Sequence, residues 1–165
     1  MKNLLFVVWC SLTTVVFAQT ETLTKEKITL EFFPKSGLTL VESDGELGHP
    51  EIRNSKDMVV IQYNKHHAEN PEVSDDEFHE SLMFEVPAAW NSFVFRKKIK
   101  QSKAIYQMGC FCVERGYYEV QEGVITGKKL SNGNYYITAD VSIVFKNGTK
   151  KTIKFKGEFK SVHAN

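Results

Sequence analysis

From Tyr135 to Phe145 the chain alternates without a break. Tyr135, Ile137, Ala139, Val141, Ile143 and Phe145 fall on one side, and Tyr136, Thr138, Asp140, Ser142 and Val144 on the other. A period of two sends successive side chains to opposite faces, which predicts a half-buried strand. A second run places Ile153, Phe155, Gly157 and Phe159 on one face and Lys154, Lys156, Glu158 and Lys160 on the other. Asn147-Gly148 stands between the two runs and is a strong hairpin signal. The loop length follows from matching faces. A two-residue Asn-Gly loop sets Ile153 against Ser142 and Phe155 against Asp140, mixing apolar with polar. A three-residue loop, Lys146-Asn147-Gly148, pairs Ile153 with Val141, Phe155 with Ala139, Asp140 with Lys154 and Ser142 with Thr152. Slipping by one residue turns every side chain to the wrong face, so the odd loop is expected, with Gly148 in the left-handed position of a bulge.

The same reasoning extends upstream. Residues 122–130 join Tyr135 through the turn cluster Ser131-Asn132-Gly133-Asn134. An odd loop there sets Ile125 opposite Ala139 inside and Thr126 opposite Thr138 outside. Gly123 and Gly127 then lie on the inner face, which implies a tight bend or close packing. These segments predict a C-terminal three-stranded meander. Residues 22–33, 58–63, 81–86, 92–99 and 104–114 are also strand-like, by alternation or by β-branched and aromatic content. Ser74 followed by Glu77 forms a capping-box pattern for a short helical turn over 75–80. Eight or nine strands with hardly any helical period predict an all-β fold, either an antiparallel β-sandwich or a closed 8–9-stranded barrel.

The N-terminus changes where this fold is expected to reside. Residues 1–18, MKNLLFVVWCSLTTVVFA, carry Lys2, an apolar run and a small residue at Ala18, the pattern of an export signal peptide. Trp9 precedes Cys10 where a lipoprotein peptidase takes a small side chain, so cleavage after Ala18 is expected rather than lipidation. Residues 19–165 then form a single all-β domain, periplasmic or secreted, with no stable membrane insertion after cleavage. Loss of Cys10 leaves Cys110 and Cys112, an even pair in an oxidising compartment.

Charge is uneven along the chain. Residues 31–90 hold thirteen Asp/Glu against four Lys/Arg, whereas residues 127–165 hold eight Lys against Asp140 and Glu158. Mutual neutralisation within the fold is the simpler reading, and a basic surface for an anionic partner the sharper one. The near-neutral total and the lack of an aromatic-interleaved basic motif argue against nucleic acid.

Candidate chemistry is concentrated in Met108-Gly109-Cys110-Phe111-Cys112. On an extended strand Met108, Cys110 and Cys112 share one face. Same-face Cα atoms lie roughly 6.4–6.8 Å apart, the far edge of disulfide geometry. A disulfide therefore requires the strand to break, with Gly109 the residue that would help. An unbroken strand predicts two free thiols, either packed in the core or joining the Met108 thioether in a soft-metal site. That site would suit Cu(I), or zinc with a histidine such as His66, His67 or His79. A second cluster spans residues 66–80, with His66, His67, Glu69, Asp75, Asp76, Glu77, His79 and Glu80. It lacks the HExxH spacing of helical zinc enzymes and reads more simply as a solvated acidic loop around Pro71. There is no GxSxG elbow, no Walker glycine pattern and no carboxylate pair with a sign of burial. Neither catalytic residues nor a cofactor are expected.

The segments EGVITGKKL (122–130), YYITADVSIVF (135–145) and IKFKGEFK (153–160) resemble a diffuse class of small exported bacterial all-β proteins, distantly lipocalin-like. The resemblance implies a barrel-like sheet and carries no functional residue with it. The expected function is that of an exported, non-enzymatic binding or interaction module for a small ligand or protein. Its alternatives are a soft-metal or thiol site at Cys110/Cys112 and a lipocalin-like carrier of a small apolar ligand.

Overall fold

The structure is a computed structural model that describes residues 25–41, 48–68, 77–96 and 99–162. The expected leader, residues 1–18, and residues 74–76 of the expected helical turn lie outside the described residues. Strands make up 64% of what is described, and the only helical piece there is one 3₁₀ turn at Ile99–Ser102, so the all-β expectation holds. Among the described residues eleven strands follow in order: β1 (Lys27–Phe33), β2 (Ser36–Leu40), β3 (Pro50–Asn54), β4 (Met58–His66), β5 (His79–Pro87), β6 (Ser92–Phe95), β7 (Ile105–Gly109), β8 (Gly116–Glu119), β9 (Glu122–Lys129), β10 (Tyr135–Val144) and β11 (Lys150–Ser161).

Nine of them form one sheet in the order β6-β9-β10-β11-β1-β4-β5-β7-β8, curled into a half barrel, while β2 and β3 pair separately. Neighbours in the large sheet are antiparallel except β1 and β11, which run parallel with Glu31 opposite Lys160 and Phe32 opposite Ser161. The expectation of a wholly antiparallel sheet is corrected at this one pair. Alternation reports which face a side chain takes and is blind to strand direction. No local turn joins β1 to β11, so nothing in the sequence near either strand sets their sense.

Where turns are local, the register follows the turn chemistry. Val141 faces Ile153, Ala139 faces Phe155, Asp140 faces Lys154 and Ser142 faces Thr152. The loop closes with Phe145 N–H donating to the Thr149 carbonyl at 2.9 Å, and Gly148 takes a φ of +84°. Ile125 likewise faces Ala139, and Thr126 faces Thr138. The two inner glycines of β9 are there for close approach. A side chain at Gly123 would strike the backbone of Asp140 and Val141, and one at Gly127 would strike the Phe93 ring.

The inner face of the curl carries the main core, to which β4 contributes Val59, Ile61 and Tyr63, β5 Leu82, Phe84 and Val86, and β10 Tyr135, Ile137, Ala139, Val141 and Ile143. A second cluster, Leu38 with Val60 and Met83, lies on the opposite face beneath the β2–β3 pair. This is why β4 and β5 read as nearly continuous apolar runs: both of their faces are covered there. The cover is pinned by buried Glu85, which accepts from Leu38 N–H at 2.8 Å and from Lys103 Nζ at 2.8 Å.

Two sequence expectations are corrected. His79 and Glu80 belong to β5 and not to a helical turn, because their register with β4 and β7 supplies the hydrogen bonds a helix would need. Residues 104–114 are not one strand either. β7 stops at Gly109, the chain bends through Cys110–Cys112, and β8 returns beside β7 with Gly116 opposite Met108.

Candidate functional site

Ladder register brings the chemical residues to one end of β4, β5 and β7. His66 lies opposite His79, and His79 opposite Gly109. Lys65 lies opposite Glu80, and Glu80 opposite Met108. Because strand faces alternate, Glu80 and Met108 turn inward with Tyr106, whereas His66, His79 and Gly109 turn outward. The result is two back-to-back groups.

The inner group is centred on Glu80, which is buried. Its Oε1 accepts from the Tyr106 hydroxyl at 2.5 Å and from Lys151 Nζ, and its Oε2 accepts from His67 Nε2 at 3.1 Å. An ionised carboxylate only accepts, so the hydroxyl and the imidazole must each point a hydrogen at it. Lys151 Nζ also lies 5.5 Å from the centre of the Phe78 ring and 5.4 Å from that of Tyr106, within cation–π range. Burial alone pushes the Glu80 carboxyl up. Hydrogen bonds from Lys151, Tyr106 and His67 outweigh that and hold it below the ordinary carboxylate value. Burial, with the Glu80 carboxylate second, pushes the Tyr106 phenol far up, so it stays a donor.

This group sits on a seam of the sheet. β1 and β11 share only the Glu31–Lys160 and Phe32–Ser161 pairs, so the first half of β11 meets the β4–β5 end through side chains. There Phe155 stacks on Tyr63 with ring centres 4.4 Å apart, and Lys151 reaches Glu80. One acidic and one basic segment do meet at this ion pair, as charge neutralisation requires, while Lys154 pairs within its own segment with Asp140. The chemistry of the inner group is that of a latch: no buried side-chain nitrogen or oxygen among the described residues lacks a partner, and none of the described cavities is lined by Glu80.

Beside the outer histidines the chain leaves β7, and Cys110 and Cys112 lie half-buried against the main core. Cys110 and Cys112 form a disulfide with their Cα atoms 5.2 Å apart, a separation that the bend after Gly109 permits and an extended strand does not. Cys112 Sγ lies 3.8 Å from Met108 Sδ, so the three residues expected to form a soft-metal site, Met108, Cys110 and Cys112, are brought together. In the disulfide the sulfurs are bonded to each other and offer no thiolate, so a chelate applies only to the reduced pair. No group of three or more His, Cys, Asp and Glu converges among the described residues. Of the acidic-loop candidates, Glu69, Asp75 and Asp76 lie outside the described residues, His67 and Glu80 join the latch, and His66 stacks on His79 with ring centres 5.7 Å apart.

A cavity of about 240 Å³ adjoins the disulfide, lined by Glu77, His79, Gly109, Cys110 and Phe111. The His79 ring occupies the place where a side chain on residue 109 would be, and a Cβ there would collide with Cε1, Nε2 and Nδ1. Gly109 therefore serves to seat the imidazole beside Cys110. Its φ is not positive, so the bend that follows does not draw on glycine's left-handed freedom. Gly109→Ala is expected to lower the free energy of unfolding by about 1–3 kcal/mol, the usual range for overpacking. Urea titration checks the loss, and the His79 ring resonances should shift with it.

Sequence reasoning missed Tyr106, Lys151 and the β2–β3 pair. The inward parity of Lys151 with Ile153 was a signal for the lysine, since a lysine on an apolar face needs a partner. No family model matches the chain, and neither a curated protein nor a solved structure matches it significantly.

Proposed function

We propose that this chain is an exported, non-enzymatic interaction module that docks a partner protein through the disulfide-tied loop following β7. The observation that carries the reading is the pair of apolar side chains on that loop. Phe111 is 80% exposed and Val113 90% exposed, the two most exposed large hydrophobic residues described. Ordinary folding buries such groups, and an aromatic held out on a short constrained loop loses little freedom on binding. Aromatic anchors of this kind dominate the energy of protein interfaces. A periplasmic or secreted setting is favoured by the leader-like residues 1–18 together with the disulfide.

The finer architecture agrees with docking at the surface. We read the half barrel as an incompletely closed barrel rather than a β-sandwich, with the C-terminal meander as one wall. Its interior is filled by side chains, Phe84, Tyr106, Tyr135 and Phe159 among the largest, which weighs against lipocalin-like carriage of an apolar ligand.

Site-specific crosslinking tests this. A photoreactive phenylalanine analogue is placed at position 111 or 113 of the exported protein in its own cells, with Val94 as the control, an apolar position 67% exposed on edge strand β6. Discrete adducts are expected from 111 and 113 and not from 94. Equal adducts at all three positions, or none at 111 and 113, would sink the reading.

A further inference from the structure

We propose that the Cys110–Cys112 disulfide is a thiol–disulfide exchange site, able to accept the two electrons of a dithiol partner. This stands independently of the docking reading. Three observations carry it. The cysteines are separated by one residue, so the bond closes a minimal chain loop and constrains the unfolded chain very little. A purely structural staple would gain most by spanning a long loop. Next, the disulfide lies on a bend outside the ladder, and Cys110 lines a cavity of about 240 Å³ through which a thiol can approach. Finally, that cavity holds an imidazole, His79, fixed on Gly109 immediately before Cys110. A ring nitrogen placed there can donate or accept a proton next to the sulfur.

The two sulfurs differ. Cys110 lines the cavity, whereas Cys112 rests against the Met108 thioether. The partner's first thiolate attacks Cys110 Sγ, forming a mixed disulfide and breaking the Cys110–Cys112 bond. Cys112 leaves as a thiolate beside Met108 and takes a proton from water. The partner's second thiolate then attacks the partner sulfur of the mixed disulfide. That closes the partner's own disulfide and expels Cys110, whose sulfur receives a proton through His79. The partner loses two electrons and two protons, and Cys110 and Cys112 gain them. Phe111 lines the same cavity and gives an apolar contact for the partner chain next to the attacked sulfur.

Small thiols provide the test. The folded chain is equilibrated across a series of reduced and oxidised glutathione mixtures, free thiols are alkylated, and the products are weighed by mass spectrometry. The pair is expected to pass from disulfide to dithiol within the series while circular dichroism remains native. A pair that stays oxidised in every mixture, or is reduced only with loss of the fold, overturns the proposal. Single-cysteine variants test the mechanism. Cys112→Ser leaves Cys110 alone, and it should form a mixed disulfide with oxidised glutathione about tenfold faster than Cys112 does in Cys110→Ser. Adding His79→Ala to the Cys112→Ser variant should remove most of that advantage. Equal rates for the two cysteines contradict the assignment of Cys110 as the attacked sulfur.

Discussion

Replacing Glu80 with alanine is expected to lower the free energy of unfolding by about 2–4 kcal/mol, measured by urea denaturation, since losing one member of a buried ion pair strands the other. Glu80 joins β5 to three other places in the chain: Tyr106 on β7, Lys151 on β11 and His67 beyond β4. Without the carboxylate, Tyr106 keeps a buried hydroxyl with no acceptor there, and Lys151 keeps a charge over two aromatic rings. The Lys151 side chain is 28% exposed and can turn toward water, so the lower half of the range is favoured. Glu80→Leu combined with Lys151→Met should recover much of the loss, because removing both charges also removes both desolvation costs.

The same latch fixes a pH dependence. The native Glu80 carboxyl lies below its ordinary value of 4.5, so the folded state binds its proton less readily than the unfolded chain does. The stabilisation is therefore complete above about pH 4.5 and is lost as pH falls through the lower native value. Glu80→Gln keeps the shape and removes the titration. The difference in unfolding free energy between wild type and Glu80→Gln should stay constant above pH 4.5 and shrink below it. A difference that grows on acidification would reverse the sign and contradict the latch.

The other large effect is expected at Phe93, where truncation to alanine should cost about 3–4 kcal/mol. Phe93 is buried on β6, an edge strand whose only ladder neighbour in the sheet is β9. Its ring lies over Gly127, directly opposite in the register, with Phe84 at 6.3 Å and Phe95 at 5.5 Å between ring centres. Gly127 has no side chain to close the gap, so the ring fills the space of two residues. Native-state hydrogen exchange should show β6 amides losing protection before those of β10, because the edge strand has few other buried side chains to hold it.

Legibility varied along the chain for physical reasons. Both C-terminal hairpins could be registered from sequence because alternation and turn residues act within a few positions of each other. Asn147 shows how local the device is: its side-chain oxygen accepts from Thr149 N–H at 2.8 Å inside the loop. The cysteine pair was half legible. Strand geometry required a break near Gly109 for a disulfide to form, and the break is there, but the reason for the glycine is His79, a residue thirty positions upstream. The sequence also ran the β7 strand on to residue 114 and missed β8, since apolar content continues through the bend at Cys110, Phe111, Cys112 and Val113.

By itself the sequence determined which side of each strand is apolar and how the C-terminal strands pair, because faces and turns depend on neighbouring residues. Only the tertiary structure decided that β1 and β11 run parallel, that the β2–β3 pair covers the back of β4 and β5, and that Lys151 closes on Glu80 across 71 residues of chain. Those outcomes depend on which surfaces the curl brings within a few ångströms. Burial and charge pairing decide that for the whole sheet at once, and no local window contains both partners.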